Sequence, residues 1–435
     1  MTRKLRVATV ITRLESGAGT LAVRGAGAMD PDAFQVTIIT GSGNRLLGDA
    51  AAAGLETLVE PSLRAPIAPR RDLLALRRLH ALFRERNFDV VHTHCAKAGA
   101  LGRLAAHRAG VPKIVHTYHG FPFHEFQSAA RRRGYVSIER RLGRITDVAL
   151  CVGTGVAVEA VRRQLVAPDR VRTIGVVVDG TNGTDSAGAA HRADGAAGRA
   201  ANGTAHSLAR RRAQVALGLP ANAIVVGAVG RLTYQKAPED FLTALQALRR
   251  PDAIGVWIGG GELADHVGRL AAGVPGVRVI LTGERDDVPD LLPAFDVFAL
   301  PSRYEGLPTA VVEAMVCGIP VVATAVNAVS DVVIPGETGL LVPPQRPDLM
   351  AAAVRYLLDS PAAAARMAAA ARASLGQRFG ETALRDALTA AYTPTAAGAH
   401  PMSGCGTTVH AAAGSYRGRE SDRSVEIGIF GATAG

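Results

Sequence analysis

Two glutamates eight positions apart, Glu305 and Glu313, bracket a short polar turn within the run Phe295 to Pro320. A second pair, Arg231 and Lys236, lies in Gly230-Arg-Leu-Thr-Tyr-Gln-Lys236. Carboxylates so placed can bind hydroxyls, and an arginine with a lysine suits the two phosphates of a diphosphate, one gripping bidentately and the other acting as a point charge. The lysine is informative because lysine occurs only at 4, 97, 113 and 236. Two carboxylates can also serve as the acid and nucleophile of a glycosidase. Here both belong to one stretch beside a phosphate-seeking helix start, which suits binding of an activated sugar better. Histidines 92, 94, 116, 119 and 124, with Cys95, are candidate metal ligands. No acidic or cysteine partner accompanies them at a zinc-like spacing, so no metal site is expected. Asp30-Pro-Asp32 reads as turn chemistry before a strand.

The elements that must hold these residues follow from local pattern. Val297 to Leu300 is a short apolar run ended by Pro301, as in a buried parallel strand. Ser302 to Leu307 is then the loop at its carboxyl end, and Pro308 opens a helix that runs through Val311, Val312, Ala314 and Met315 until Gly318 and Pro320 stop it. In open α/β sheets ligands bind at the carboxyl ends of strands, and a helix N-terminus attracts phosphate. The same logic applies to the strand from Leu5 to Thr12, whose following loop holds Gly17 and Gly19, and to the strand from Ala223 to Val229 that runs into Gly230. Asp89 to His94 and Lys113 to His119 are further strands, with alternation placing His92 and His94 on one face. Strands are also expected at 253–258, 277–281 and 321–324. Residues 131–147 read as a basic amphipathic helix with Tyr135, Ile138, Leu142 and Ile145 inward and Arg133, Arg140, Arg141 and Arg144 opposite.

A chain of 435 residues exceeds one ordinary core, so two domains are expected. No apolar run reaches the roughly 18 to 20 residues that span a bilayer, and the amino-terminal run is too short for a secretory signal. Four cysteines then read as reduced thiols of a cytoplasmic protein. Residues 1–179 carry 27 Lys and Arg against 15 Asp and Glu, whereas residues 213–400 carry 14 against 18. A basic half joined to an acidic half suits one face turned to anionic lipid or an anionic acceptor. It argues against a nucleic-acid-binding protein, which also lacks the expected aromatic platforms. Residues 180–212 are Gly, Ala, Thr, Asn and Ser-rich and cannot bury enough apolar surface to offset ordering entropy.

Glu305-x7-Glu313 inside Ser302-x-x-Glu-Gly-Leu-Pro308, together with Gly230-Arg-Leu-x-x-Gln-Lys236, resembles the signature of retaining glycosyltransferases of family 4. The resemblance covers most of residues 5–392, with Ala237 where a glycine is usual and Gly17-Ala-Gly19 where adjacent glycines are usual. It implies the GT-B fold, an α/β architecture of two Rossmann-like domains facing each other across a cleft. The expected division is an acceptor-side domain at 1–179, a linker at 180–212, a nucleotide-sugar domain at 213–392 and a flexible tail at 393–435. The resemblance also implies roles. Arg231 and Lys236 would steady the leaving diphosphate, with the amides of Gly306 and Leu307 assisting. Glu313 would hold ribose, Glu305 and His119 the donor sugar, and the loop Thr282-Gly-Glu-Arg285 the base, largely by backbone contacts. Gly17, Gly19 and Gly230 would approach the donor by backbone. The implied substrate is a nucleotide sugar, with UDP expected, and no cofactor or metal is required. Thr93-His-Cys-Ala-Lys-Ala-Gly99 followed by His119-Gly120 resembles enzymes of exopolysaccharide and cell-envelope glycan assembly. That implies an acceptor glycan or lipid-linked sugar and peripheral contact with the inner membrane face. A soluble small-molecule acceptor, or a sugar-nucleotide epimerase of the same architecture, stays open.

Overall fold

The computed structural model describes residues 3–43, 45–123, 127–175, 207–274, 276–306, 308–375 and 380–393. Leu307, His124, most of the 180–212 stretch and the tail beyond residue 393 lie outside them. The first lobe alternates strand and helix: β1 (Leu5–Ile11), α1 (Ser16–Gly27), β2 (Phe34–Thr40), α2 (Arg45–Ala52), β3 (Glu56–Val59), α3 (Pro69–Arg86), β4 (Val90–His94), α4 (Ala96–Ala109), β5 (Lys113–Tyr118), α5 (Ala129–Gly143), β6 (Val148–Cys151), α6 (Thr154–Arg162) and β7 (Val171–Thr173). Its strands pair in parallel in the order β3-β2-β1-β4-β5-β6-β7. Helices cover both faces, so a strand such as β4 is buried throughout and carries no polar alternation.

The second lobe opens with α7, a helix over 207–216 that begins inside the stretch read as linker; Arg210 ties it down through Asp296. There follow β8 (Ile224–Val229), α8 (Pro238–Leu248), β9 (Ala253–Ile258), α9 (Ala264–Gly273), β10 (Arg278–Leu281), α10 (Val288–Leu291), β11 (Val297–Leu300), α11 (Thr309–Val316), β12 (Val321–Thr324), β13 (Leu340–Val342), α12 (Pro347–Asp359), α13 (Pro361–Leu375) and α14 (Glu381–Tyr392). The sheet order is β10-β9-β8-β11-β12-β13, again parallel. Each sheet therefore reverses its winding once, between β1 and β4 and between β8 and β11, and ligands bind at such switch points.

Two features depart from the sequence reading. α14, expected in the second domain, packs on the first lobe. Leu384 and Leu388 lie over Gly25 of α1, Tyr392 meets Phe34 edge-on at 6.1 Å, and Lys113 Nζ donates to the Thr393 carbonyl at 2.9 Å. Its apolar face finds its complement only across the chain, which no local pattern announces. In α5 the basic residues do face solvent, but Ile138 is half exposed and Glu139 is buried in its place. The cause is Arg103 of α4, fully buried, whose Nη2 donates to Glu139 Oε2 at 2.8 Å. Its Nε donates to the Gly99 carbonyl at 2.8 Å, and Tyr118 Oη donates to Glu139 Oε2 at 3.1 Å. A charge sealed from water must be paired and hydrogen-bonded, so the ion pair sets the rotation of the helix in preference to an isoleucine.

Candidate functional site

The carboxyl ends of the two sheets face a cleft of about 590 Å³. Gly17, Ala18, His119 and Val152 line it from the first lobe; Gly230, Arg231, Lys236, Glu305, Gly306 and Glu313 line it from the second. An adjoining cavity of about 650 Å³ shares Ala18, Gly230 and Arg231 with it. Two helices aim their N-termini here. α1 and α11 have no side-chain cap and no acidic residue in their first turns, so their leading N–H groups keep their positive partial charge. A Cβ on Gly17 would stand 3.3 Å from the Thr309 side chain, so the two helix starts nearly touch. Such a pair of termini is an anion site built from backbone.

The second lobe adds the charges. Lys236, after β8, places Nζ 2.5 Å from Glu305 Oε1, and the buried Ser302 donates its Oγ to the same oxygen at 2.5 Å. Gln235 Nε2 donates to Glu305 Oε2 at 3.4 Å. Lysine has three donors, so the pair fixes the ammonium while leaving N–H bonds for a phosphate. Arg303 clamps the two loops together. Its backbone N–H donates to the Gln235 carbonyl at 2.8 Å, its Nη1 to the Tyr234 carbonyl at 2.7 Å, and its guanidinium lies 4.3 Å from the Tyr234 ring centre. Arg231 is exposed and has no side-chain partner among the described residues. Glu313 lies one turn into α11 and lines the cleft.

The first lobe adds imidazoles. His94 Nδ1 meets His119 Nε2 at 2.9 Å, and His92 joins Thr117 Oγ1 and Tyr392 Oη at 2.7 Å each. His116 points to the other face, bonded to Thr93 Oγ1 at 2.8 Å. Burial pushes His119 down to about 4 and His92 to about 3, and holds His94 and His116 well below the usual imidazole range. These are neutral rings in a hydrogen-bonded ladder, and no group of three metal-capable side chains occurs among the described residues. Asp30 accepts from the Asp32 N–H at 2.9 Å, closing the turn before β2.

The lobes meet backbone to backbone. A Cβ on Gly306 would fall 1.8 Å from the His119 carbonyl oxygen, so only glycine fits between the loop after β11 and the chain leaving β5. Beside the cleft Asp331 reaches across to cap α6, accepting from the Thr154 N–H at 2.5 Å and from its hydroxyl. Sequence reasoning missed Ser302, Arg303 and Asp331. Ser302 stood inside a recognised motif and was read only as loop, whereas Asp331 and Thr154 are 177 positions apart with nothing local to link them.

One residue expected at the donor lies away from the cleft lining. Gly19 lies under the helix start, where a Cβ would stand 2.9 Å from the Leu14 backbone and from the Leu46 side chain; it is a packing glycine and does not line the cleft. Thr282 follows the end of β10 at Leu281, its hydroxyl donating to the Gly283 carbonyl at 2.9 Å. Of the loop Thr282-Gly-Glu-Arg285 expected at the base, Glu284 and Arg285 line the adjoining cavity, together with Asp286.

A model of Glycosyltransferase Family 4 matches residues 16–180, and one of glycosyl transferases group 1 matches residues 209–374. The chain is 32% identical over 273 residues to a UDP-Gal:alpha-D-GlcNAc-diphosphoundecaprenol alpha-1,3-galactosyltransferase of Escherichia coli, which covers 61% of this chain and 65% of that protein. It is 34% identical over 330 residues to a D-inositol 3-phosphate glycosyltransferase of Kineococcus radiotolerans, 70% of this chain and 72% of that protein. The crystal structure of Anabaena Alr3699/HepE with UDP and glucose superposes with a TM-score of 0.70 at 19% identity, over 89% of this chain and 98% of that one. The match thus spans just under two thirds of the E. coli relative and somewhat more of the Kineococcus one. The chain belongs to the family 4 glycosyltransferases (glycosyl transferases group 1) and has their GT-B fold.

Proposed function

We propose that this chain transfers a sugar from a UDP-sugar, with retention of anomeric configuration, to a lipid-linked glycan intermediate of exopolysaccharide or cell-envelope synthesis. The observation that carries the reading is the convergence of two uncapped helix starts with Arg231 and Lys236 on one cleft between the lobes. As the glycosidic bond to the diphosphate breaks, negative charge grows on the leaving oxygen. Preorganised N–H groups and cations aimed there stabilise it without reorganising at the moment of reaction. Lys236 would divide its donors between Glu305 and the phosphate, and Arg231 would grip the diphosphate from the solvent side. The amides at Gly306 and Leu307 would assist. Glu313, one turn along α11, would hold the ribose, while Glu305 and His119 would bind the sugar from opposite lobes. A neutral His119 suits a hydroxyl partner. Closure over the cleft would exclude water and limit donor hydrolysis.

The E. coli relative supports the acceptor class, since its name specifies a lipid diphosphate, and the Anabaena structure held UDP and glucose. The D-inositol 3-phosphate relatives favour a second reading, a small soluble acceptor. No helix among the described residues is long and apolar enough to cross a membrane. The test is UDP release from a panel of UDP-sugars with polyprenyl diphosphate sugars or inositol phosphate as acceptor, with the product anomer read by NMR. Transfer only to the soluble acceptor would replace the lipid assignment, and an inverted product would remove retention. Cations in the leaving-group position make a metal unnecessary, so EDTA should leave turnover intact.

A further inference from the structure

The connection from β3 to α3, residues 60–68, and the first turns of α3 present an unusual surface. Ile67 is 74% exposed, and Leu73 and Leu74 are close to half exposed. Arg64, Arg70, Arg71 and Arg78 surround Leu74 in a shallow depression of about 500 Å³. The acids nearby are already engaged: Glu60 takes Ser62 and Arg78, and Asp72 takes Lys97 at 2.6 Å and the Ala68 N–H. Arg70, Arg71 and Arg77 therefore face water with no carboxylate partner among the described residues. Helical spacing lays 70, 74 and 77 along one side, while Ala75, Leu76, Leu79 and Phe83 turn into the core.

Guanidinium groups mixed with bare aliphatic side chains match a surface that is anionic outside and oily beneath, so the arginines can stay with headgroups while Ile67, Leu73 and Leu74 sink past them. A nucleic acid would call for aromatic rings between the cations, and residues 60–78 contain none. The position fits as well. This connection leaves the carboxyl end of β3, the edge that carries the cleft, and Ala65 and Lys97 line the cavity that shares Gly230 and Arg231 with it. We infer that residues 60–78 are the face on which the protein docks to an anionic phospholipid bilayer, holding the cleft mouth at headgroup level where a lipid-borne acceptor would arrive. The inference rests on the lipid-acceptor reading and names the surface that serves it, in place of the basic helix α5.

The experiment is co-sedimentation of the full chain with vesicles of equimolar phosphatidylglycerol and phosphatidylcholine, with pure phosphatidylcholine as control. Wild-type protein should bind the anionic vesicles alone. Replacing Arg70, Arg71 and Arg77 by Gln should weaken binding by about 5-fold for each arginine, and Ile67→Asp should weaken it further at unchanged thermal midpoint. Arg140→Gln with Arg141→Gln on α5 should leave binding as it was. Absence of wild-type binding, an equal loss from the α5 variants, or capture by heparin and DNA with none by vesicles would each overturn the assignment. UDP release from the UDP-sugar without vesicles separates the two readings. The α3 variants should keep it, whereas a wild type that binds vesicles and hydrolyses or transfers no UDP-sugar would leave the docking face standing and remove the proposed function.

Discussion

Arg103–Glu139 in the first lobe and Lys236–Glu305 in the second each hold a buried carboxylate, and the two pairs differ in what surrounds them. Arg103–Glu139 in the first lobe is sealed, with side chains 0% and 4% exposed, and Arg103 and Glu139 bond inward to the Gly99 carbonyl and the Tyr118 hydroxyl. Lys236–Glu305 in the second stands at the cleft wall, with the lysine 17% exposed and only one of its three donors assigned to Glu305. A buried ion pair is thus no signature of chemistry by itself. What separates a strut from a site is whether hydrogen-bonding capacity remains and whether a ligand can reach it. The same division runs through the switch points. The one in the first lobe is filled with neutral imidazoles, the one in the second with cations. The strand order shared by the first six strands of each sheet fixed where ligands can lie, and the side chains at those ends decide what kind.

The sharpest way to break this comparison is to remove a cation from each pair. Arg103→Ala should lose about 3 to 5 kcal/mol of stability, the usual result of stranding a buried charge, measured by urea unfolding. Donor affinity in whatever protein stays folded should be unchanged; a selective loss of donor binding would make the first pair functional. At the cleft, Arg231→Ala should lower kcat by about 10²–10³ with no change in thermal midpoint, because Arg231 is exposed and unpartnered among the described residues. Lys236→Ala should lose similar activity and also stability, since it leaves Glu305 unpaired. Near-normal UDP release from both variants would end the assigned roles.

Acid sharpens the contrast between the switch points. The histidines of the first lobe have folded-state pKa values below the ordinary 6.5, so the unfolded chain binds more protons as pH falls. Their contribution to stability is complete above about 6.5 and fades as pH drops through about 4 for His119 and about 3 for His92, at no more than about 1.4 kcal/mol per pH unit for each ring. Unfolding midpoints between those limits should fall with acid, and His92→Phe should flatten the slope. A slope unchanged by that substitution would show that other groups carry the acid sensitivity. The smallest expected effect is at the clasp between lobes. Asp331→Ala should cost about 1 kcal/mol, typical of a lost helix cap, read as a small drop in thermal midpoint.

Much of the second lobe's cleft lining was legible. Gly230, Arg231, Lys236, Glu305, Gly306 and Glu313 lie on two local strand–loop–helix units, and turn chemistry and apolar runs place each unit without knowledge of the other. The glycine loop after β1 shows the limit. Gly17 and Gly19 look alike in sequence, yet one faces Thr309 and the other lies under Leu46, because helical rotation sends neighbours two positions apart to different sides. The inward stripe expected for α5 missed at Ile138 for a related reason: periodicity ranks apolar side chains inward and cannot anticipate a carboxylate that a buried arginine requires.

By itself the sequence determined the two α/β repeats, the cation and carboxylate motifs and the residues at each strand's end, since those depend on interactions among near neighbours. Only the tertiary structure decided that Gly306 presses on the His119 carbonyl, that Asp331 caps a helix in the other lobe and that α14 returns to cover the first sheet. Those are contacts between segments tens to hundreds of positions apart, chosen by complementary shape and by the need to pair every buried polar group, and neither condition leaves a periodic mark on the chain.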